Sequence, residues 1–260
     1  MQSSFDRRRV NGPEESHAPV YDDEEPESSS MGAQRNGRSA KDVRPIFLKT
    51  GLISQANGSA YVETEKTKIA CAVYGPRQSK STTYSERGRL NVEVKFAPFS
   101  CKQRRAPLRD AEDRALAVLI HQALAPAVRL ELFPKSTVDV FVLIIENDGI
   151  EGCVASGSVA ASTALADAGI DMLGLVVSCA ACVSPKDEIW LDPTTDEAIS
   201  AKGCITLATV PALNLITNIW QTGQMSLDEM DQCMDLCQEQ CLSTHSVVAQ
   251  TLLDANKSPS

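Results

Sequence analysis

The chain has 260 residues, 43% of them apolar and 5% aromatic, and its 34 acidic side chains against 25 basic ones give a net charge of −9. That length and apolar fraction suffice for one large domain or two small ones with an ordinary buried core, while so few aromatics disfavour an aromatic platform for nucleic-acid bases. The mean charge argues against a general polyanion binder, yet it is uneven: −3 over residues 1–40, +2 over 41–76, +5 over 77–114 and −13 over 115–260.

In chain order, residues 1–40 are rich in Ser, Glu, Asp, Pro, Gly and Asn and poor in branched aliphatics. They bury too little to offset chain entropy and read as a disordered acidic tail. The opening residues lack the apolar core of a secretory signal, and no stretch approaches the roughly 18 apolar residues of a membrane helix. An intracellular protein without a membrane partner is expected. Arg7-Arg8-Arg9 suits either a short nuclear address or a solvated charge cluster.

The folded part begins near Val43-Arg44-Pro45-Ile46. Two β-runs follow, Gly58-Ser-Ala-Tyr-Val-Glu63 and Thr67-Lys-Ile-Ala-Cys-Ala-Val-Tyr74, the second punctuated by Gly75-Pro76. After a polar loop over 77–88, Leu90, Val92, Val94 and Phe96 alternate with polar residues, which predicts a half-exposed antiparallel strand over 89–96. Helical spacing over 110–129 puts Ala115, Leu116, Leu119, Ile120, Ala123 and Leu124 on one stripe. Residues 138–145 are apolar on both faces and predict a central strand; 153–168, rich in Ala and Ser, predict a helix packed close to a sheet. Strands are expected over 174–183, 187–191 and 203–210. A last helix is expected over about 226–254, with Ser226 and Glu229 as its capping box.

Nine cysteines in a chain without a secretory signal read as reduced thiols. Cys233, Cys237 and Cys241 recur every four residues, on one helix face with Met230 and Val248. No His or fourth Cys joins them at ligand spacing, so packing is the reading and no metal is expected. Cys179-Ala-Ala-Cys182 has the form of a redox pair, but it lies in an apolar run that predicts a buried strand. His121 and His245 have no partner nearby in sequence, and Ser156 and Ser158 lack the glycine elbow of a nucleophile. The element order predicts one α/β domain over 41–256, a sheet/helix sandwich of two βαβ-type halves.

Arg44-Pro45-Ile46, Gly58-Ser59-Ala60-Tyr61-Val62-Glu63 and the run Thr67 to Pro76, followed by Ala164-Leu165-Ala166-Asp167-Ala168-Gly169 and Leu191-Asp192-Pro193, together resemble the RNase PH family. The resemblance spans about residues 43–250 and implies that family's fold, akin to domain 2 of ribosomal protein S5. It also implies phosphorolysis, in which inorganic phosphate attacks the 3′ end of RNA and releases a nucleoside diphosphate. Such chemistry needs cations for the phosphate and carboxylates for a divalent metal or a proton.

Active family members hold phosphate with the Arg of an Asp-Gly-Gly-Thr-Arg-Thr-Ala segment at a helix start. Here the segment reads Asp148-Gly149-Ile150-Glu151-Gly152-Cys153-Val154, which puts Gly152 in the Arg place beside an acidic Glu151. Aligning on Leu119-Ile120 and Ala123-Leu124 places Glu112 at a second phosphate Arg, with Arg109 and Arg114 close enough to leave the register open. The family's paired aspartates fall on Ala198 and Cys204, with Asp196 and Glu197 nearby. These degenerate positions imply a chain with no catalytic residues, no metal and no cofactor of its own.

Arg44-Pro45, the segment from Gly51 to Ala56, Gly75-Pro76-Arg77-Gln78 and Ala127-Val128-Arg129-Leu130 resemble a non-catalytic ring subunit of the RNA exosome. The expected partners are other RNase PH-like ring subunits, cap subunits and single-stranded RNA in a central channel, in nucleus, nucleolus and cytoplasm. Within the basic island, Lys102, Arg104 and Arg105, and Arg87 and Arg89, are the candidate RNA contacts. For each of them a solvated loop or an acidic neighbouring subunit is the alternative. An active phosphorolytic exoribonuclease and a free-standing RNA-binding module are the competing functions.

Overall fold

The computed structural model describes residues 35, 37–79, 84–101, 104–105 and 111–257. Residues 1–34 and 36 lie outside this set, and with them Arg7-Arg8-Arg9 and most of the expected tail. Of the tail's described residues, Arg35 donates to the Leu191 carbonyl, and the Ala40 carbonyl accepts from the Leu191 amide at 3.0 Å.

Alternating apolar residues build a five-stranded sheet in the order β1-β2-β3-β5-β4. β1 (Phe47–Thr50), β2 (Gly58–Thr64) and β3 (Thr67–Gln78) run antiparallel, and β5 (Ser136–Glu146) pairs antiparallel with β3. β4 (Arg89–Phe96) pairs with β5 in parallel, contrary to the antiparallel strand expected. The reason is the connection: α1 (Ala111–Leu124) carries the chain back to the end at which β4 began, as a parallel pair requires. The alternation itself reports exposure. Leu90, Val94 and Phe96 are buried, Val92 is half-buried, and Arg89, Asn91, Glu93 and Lys95 are exposed on an edge strand with one covered face. β3 runs on through Gly75-Pro76, and its register shifts between Tyr74 and Arg77, where Pro76 has no N–H to give the ladder.

α1 is shorter than the expected 110–129 because Pro126 cannot continue it. Ala117 is buried in place of Ala115, which is exposed. The second sheet, in the order β7-β6-β8-β9, is antiparallel throughout: β6 (Val177–Val183), β7 (Ile189–Leu191), β8 (Gly203–Val210) and β9 (Leu215–Gly223). Parallel pairing across a helical crossover therefore occurs in the first half only. β1, β9 and the short α3 (Thr195–Ser200) stand beyond the elements expected from the pattern.

α2 (Ile150–Asp167) packs against β2 and β3 on one side and β6 and β8 on the other. A helix covered on both sides must be lined with small residues. A Cβ added at Gly157 would stand 2.9 Å from Ile120 Cδ1, and one at Gly58 only 2.2 Å from the backbone nitrogen of Ala168. Its buried hydroxyls are satisfied locally: Ser158 and Thr163 donate to carbonyls four residues back at 2.7 and 2.8 Å, and Ser162 accepts from the Val176 amide at 2.8 Å. Ile120, Leu124, Ile144, Leu165, Ile205 and Leu207 are fully buried in the core around it, each contributing about 1.5–3 kcal/mol relative to exposure.

α4 (Leu227–Lys257) starts at the expected capping box, where Ser226 and Glu229 exchange bonds. Its Cys233, Cys237 and Cys241 are fully buried, with Cys241 Sγ against the Val177 carbonyl. Cys179 and Cys182 are buried in β6, as the apolar run predicts. His121 and His245 are half-exposed on α1 and α4. Among the described residues no helix is long and apolar enough to cross a membrane. The described residues form a mixed α/β sandwich of two sheets and four α-helices.

Candidate functional site

The N-terminus of α2, the turn after β7 and the start of α3 converge on one buried guanidinium. Arg44, whose side chain is 0% exposed, donates through Nε and Nη2 to both oxygens of Asp192 at 2.7 and 2.5 Å, and through Nη1 to Asp148 at 2.7 Å. Its backbone amide adds a third bond to Asp192 at 3.0 Å, and Thr195 donates to the other oxygen of Asp148 at 3.4 Å. Burial alone would lower the pKa of Arg44, but the bonds and charge of Asp192, then the charge of Asp148, outweigh it and raise the pKa.

Gly152 lies on the first turn of α2, and a Cβ there would approach Arg44 Nη2 at 3.5 Å and Thr67 Oγ1 at 3.8 Å. No side chain stands where the resemblance expects a phosphate-binding arginine, and the nearest cation is engaged by two aspartates. Asp148 and Glu151 leave this helix end locally acidic.

Glu112 sits in the first turn of α1 and pairs with Arg105 Nη1 at 2.8 Å. Arg105 also donates through Nε to Cys101 Sγ at 3.1 Å and lies 4.1 Å from the centroid of the Phe96 ring. Hydrogen bonding to Glu112 raises its pKa above the ordinary value, so Arg105 is a permanent cation with its charge internally compensated.

Ala198 is half-buried in α3, and Cys204 is buried in β8, directly opposite Cys182. Glu197 closes the α3 capping box with Thr194 and faces Arg35 and Arg38, each at 3.5 Å. Asp196 is exposed on the first turn of α3. Asp148, Asp192 and Glu197 are thus compensated by arginines, and the residues here do not fit a divalent cation.

The basic island of the sequence is not one patch in space. Arg87 and Arg89 are exposed at the start of β4, and Arg104 and Arg105 follow its end. Seven residue steps of strand separate the two ends by roughly 23 Å. At the first end, Arg77, Ser79, Arg89, Asn91, Thr137 and Asp139 line a shallow cleft of about 420 Å³. There Arg77 pairs with Asp139, which also accepts from Asn91 at 2.8 Å. Lys102 and Arg109 lie outside the described residues.

The sequence matches the 3′ exoribonuclease family, domain 1, over residues 42–171 and domain 2 over residues 174–240. The chain belongs to the RNase PH family.

Similar RNase PH proteins include the exosome complex component mtr3 of Schizosaccharomyces pombe, 35% identical over 251 residues, with 95% of this chain and 96% of that protein covered. The exosome complex component MTR3 of Homo sapiens is 37% identical over 267 residues, covering 96% of this chain and 95% of its own length. Among solved structures, rice Rrp46 superposes with a TM-score of 0.70 at 21% identity, over 83% of this chain and 96% of its own. The Archaeoglobus fulgidus exosome with RNA bound to the active site gives a TM-score of 0.71 at 18% identity, over 81% of this chain and 90% of that one. These two show that the fold is that of RNase PH.

Sequence reasoning passed over Arg44 and Asp192 as functional-site residues, although both lie in motifs that carry the RNase PH resemblance. The available signal was an arginine set between Val43 and Pro45-Ile46, an apolar setting in which a guanidinium must find carboxylates.

Proposed function

We propose that this chain is a structural and RNA-channel subunit of an exosome core ring, without phosphorolysis of its own. It supports 3′–5′ RNA processing and degradation, including rRNA processing and mRNA turnover. Its partners are other RNase PH-like ring subunits, cap subunits and single-stranded RNA, and its compartments are nucleus, nucleolus and cytoplasm. The exosome names of relatives that span almost the whole chain support the assembly. The observation that carries the absence of catalysis is the first turn of α2: Gly152 in place of an arginine, with Arg44 held by Asp148 and Asp192.

Among the described residues, a phosphate placed there meets Glu151, which has no ion-pair partner, and no free guanidinium. Like unit charges 4–8 Å apart near a protein surface repel by about 2–4 kcal/mol, so the site disfavours the phosphate that phosphorolysis needs. Glu112, Ala198 and Cys204 are the further degenerate positions of this reading, and it calls for no metal and no cofactor. The ordered part corresponds to one RNase PH-like domain over 41–256, preceded by the acidic tail. Arg87, Arg89, Lys102, Arg104 and Arg105 remain the proposed cationic contacts, but Arg105, paired with Glu112, serves chiefly to brace its loop.

The test is to give the purified chain single-stranded RNA, inorganic phosphate and Mg²⁺ and to follow nucleoside diphosphates. None is expected. Release that disappears on Asp196→Asn or Glu197→Gln substitution overturns the non-catalytic reading in favour of an active exoribonuclease. Native mass measurement of the chain with its co-purified neighbours tests the ring. A stable solitary monomer that binds RNA by itself favours the free-standing module instead.

A further inference from the structure

The loop after β4 treats its two phenylalanines in opposite ways. Phe96 is buried, and its ring is covered by the Arg105 guanidinium. Phe99, three residues on, is 69% exposed at a turn. An apolar ring held in water is unfavourable unless something covers it. Mobility of the turn does not account for its position, because the described residues of the loop are held by four backbone bonds. Ala97 donates to the Ile144 carbonyl at 2.8 Å, Ser100 to Ala97 at 3.0 Å, Asn147 to Ser100 at 2.9 Å and Arg105 to Pro98 at 2.9 Å. Beside it Arg104 is exposed and makes no ion pair among the described residues, unlike Arg105. The bond from Asn147 places the loop directly against the Asn147-Asp148-Gly149 entry to α2.

We infer that Phe99 is a stacking platform for one base of single-stranded RNA, with Arg104 neutralising an adjacent phosphate. A protein neighbour would need a contiguous apolar patch. Here the ring is flanked in sequence by a half-buried Pro98 and a buried Ser100, and the Arg105 amide bound to the Pro98 carbonyl brings the segment carrying exposed Arg104 back to this turn, a combination complementary to a base and its phosphate. Every base offers a π-face, so one ring and one guanidinium can hold a passing strand without reading its sequence. The inference rests on the RNA-channel reading and deepens it. It also departs from the expectation drawn from the low aromatic content, since a single well-placed ring suffices.

The experiment uses the full chain assembled with its ring neighbours and a fluorescently labelled single-stranded oligoadenylate. Phe99→Ala is expected to weaken binding at least about fivefold, the low end for loss of one base–aromatic stack, with assembly unchanged. Phe99→Trp should retain affinity. Phe99→Leu, which keeps bulk and loses the π-face, should behave like Phe99→Ala. Arg104→Ala should lower the slope of log affinity against log salt by about 0.7. Wild-type affinity in Phe99→Ala or Phe99→Leu overturns the inference, as does a loss that follows impaired assembly, the mark of a protein contact. In those cases the unsubstituted complex still binds RNA and the channel reading stands. A complex that binds no oligoadenylate overturns the channel reading and this inference together.

Discussion

Arg44→Ala tests whether the buried guanidinium organises the region around the start of α2. It removes two ion pairs and three side-chain bonds from a site with no exposed guanidinium surface; Asp148, 16% exposed, loses its arginine, and Asp192, also 16% exposed, keeps only the longer contact to Arg38 at 3.7 Å. Truncating one partner of a buried pair costs about 3–5 kcal/mol, because the other charge stays buried and uncompensated. Against a typical total of roughly 5–15 kcal/mol this is a large fraction, and it corresponds to a melting point lower by about 6–20 °C for a domain of this size. The partners are unequal. Asp192 accepts three of the bonds from Arg44 and Asp148 one, so Asp192→Asn should destabilise more than Asp148→Asn. The sign then reverses in the variant background: adding Asp192→Asn to Arg44→Ala removes a carboxylate left with only the longer Arg38 contact and should recover part of the loss. Thermal and urea melts of the four proteins make this double-mutant cycle. An Arg44→Ala protein within about 1 kcal/mol of the parent, or a further loss on adding Asp192→Asn, refutes the reasoning.

Cys101 is half-exposed, whereas the other eight cysteines are buried. Burial would raise its thiol, but bonds from Ser100, Asn147 and Arg105 outweigh that and hold it below the ordinary value, while burial pushes Cys233 up to about 11. Iodoacetamide with peptide mapping should label Cys101 first, already below the usual thiol pH range, and Arg105→Ala should move that onset upward; equal labelling of Cys233 would contradict this. Gly58→Ala drives a methyl into the backbone at Ala168 and should cost about 1–3 kcal/mol or more in urea melts, whereas a neutral result would mean that β2 and α2 can separate freely. Glu229 is held below its ordinary value by bonds from the Ser226 amide and hydroxyl. A depressed carboxylate contributes stability above the unfolded value of 4.5 and loses it as pH falls through the lower folded value, so amide exchange in the first turn of α4 should rise in that window. Ser226→Ala should destabilise by about 1 kcal/mol, and unaltered protection of that turn in either experiment would refute the cap.

Local periodicities were readable because one element suffices to express them. The alternation of Leu90, Val94 and Phe96, the four-residue recurrence of Cys233, Cys237 and Cys241, and the Ser226/Glu229 box each reflect a single strand or helix. Strand direction is a property of pairs, which is why the half-exposed pattern of β4 was legible and its parallel partner was not. β9 has little buried surface to impose a period, with Leu215, Ile216 and Ile219 all exposed at the sheet edge. Thr194 and Glu197 carried the same capping signal as Ser226 and Glu229, but α3 is only six residues long and has no apolar stripe to draw attention to it. The basic island is continuous in sequence only: its residues on either side of β4 are separated by the strand's length.

On the proposed reading, the start of α2 loses phosphate binding while the fold around it persists. Arg44 is matched by Asp148 and Asp192, Arg35 and Arg38 face Glu197, and Arg105 is matched by Glu112. The Arg44 and Arg35/Arg38 groups hold segments distant in sequence together, and Arg105 ties its loop to α1 seven residues on, so the charges nearest the start of α2 are structural cross-links. On the proposed reading, exchanging an arginine for Gly152 removes a ligand contact without touching any of these links, and the fold tolerates it. Glu112 does more: it anchors Arg105, which covers Phe96 and ties the loop that presents Phe99 and Arg104. On the proposed reading, the same glutamate that stands in place of a phosphate-site cation thereby helps fix the neighbouring surface on which RNA is proposed to rest.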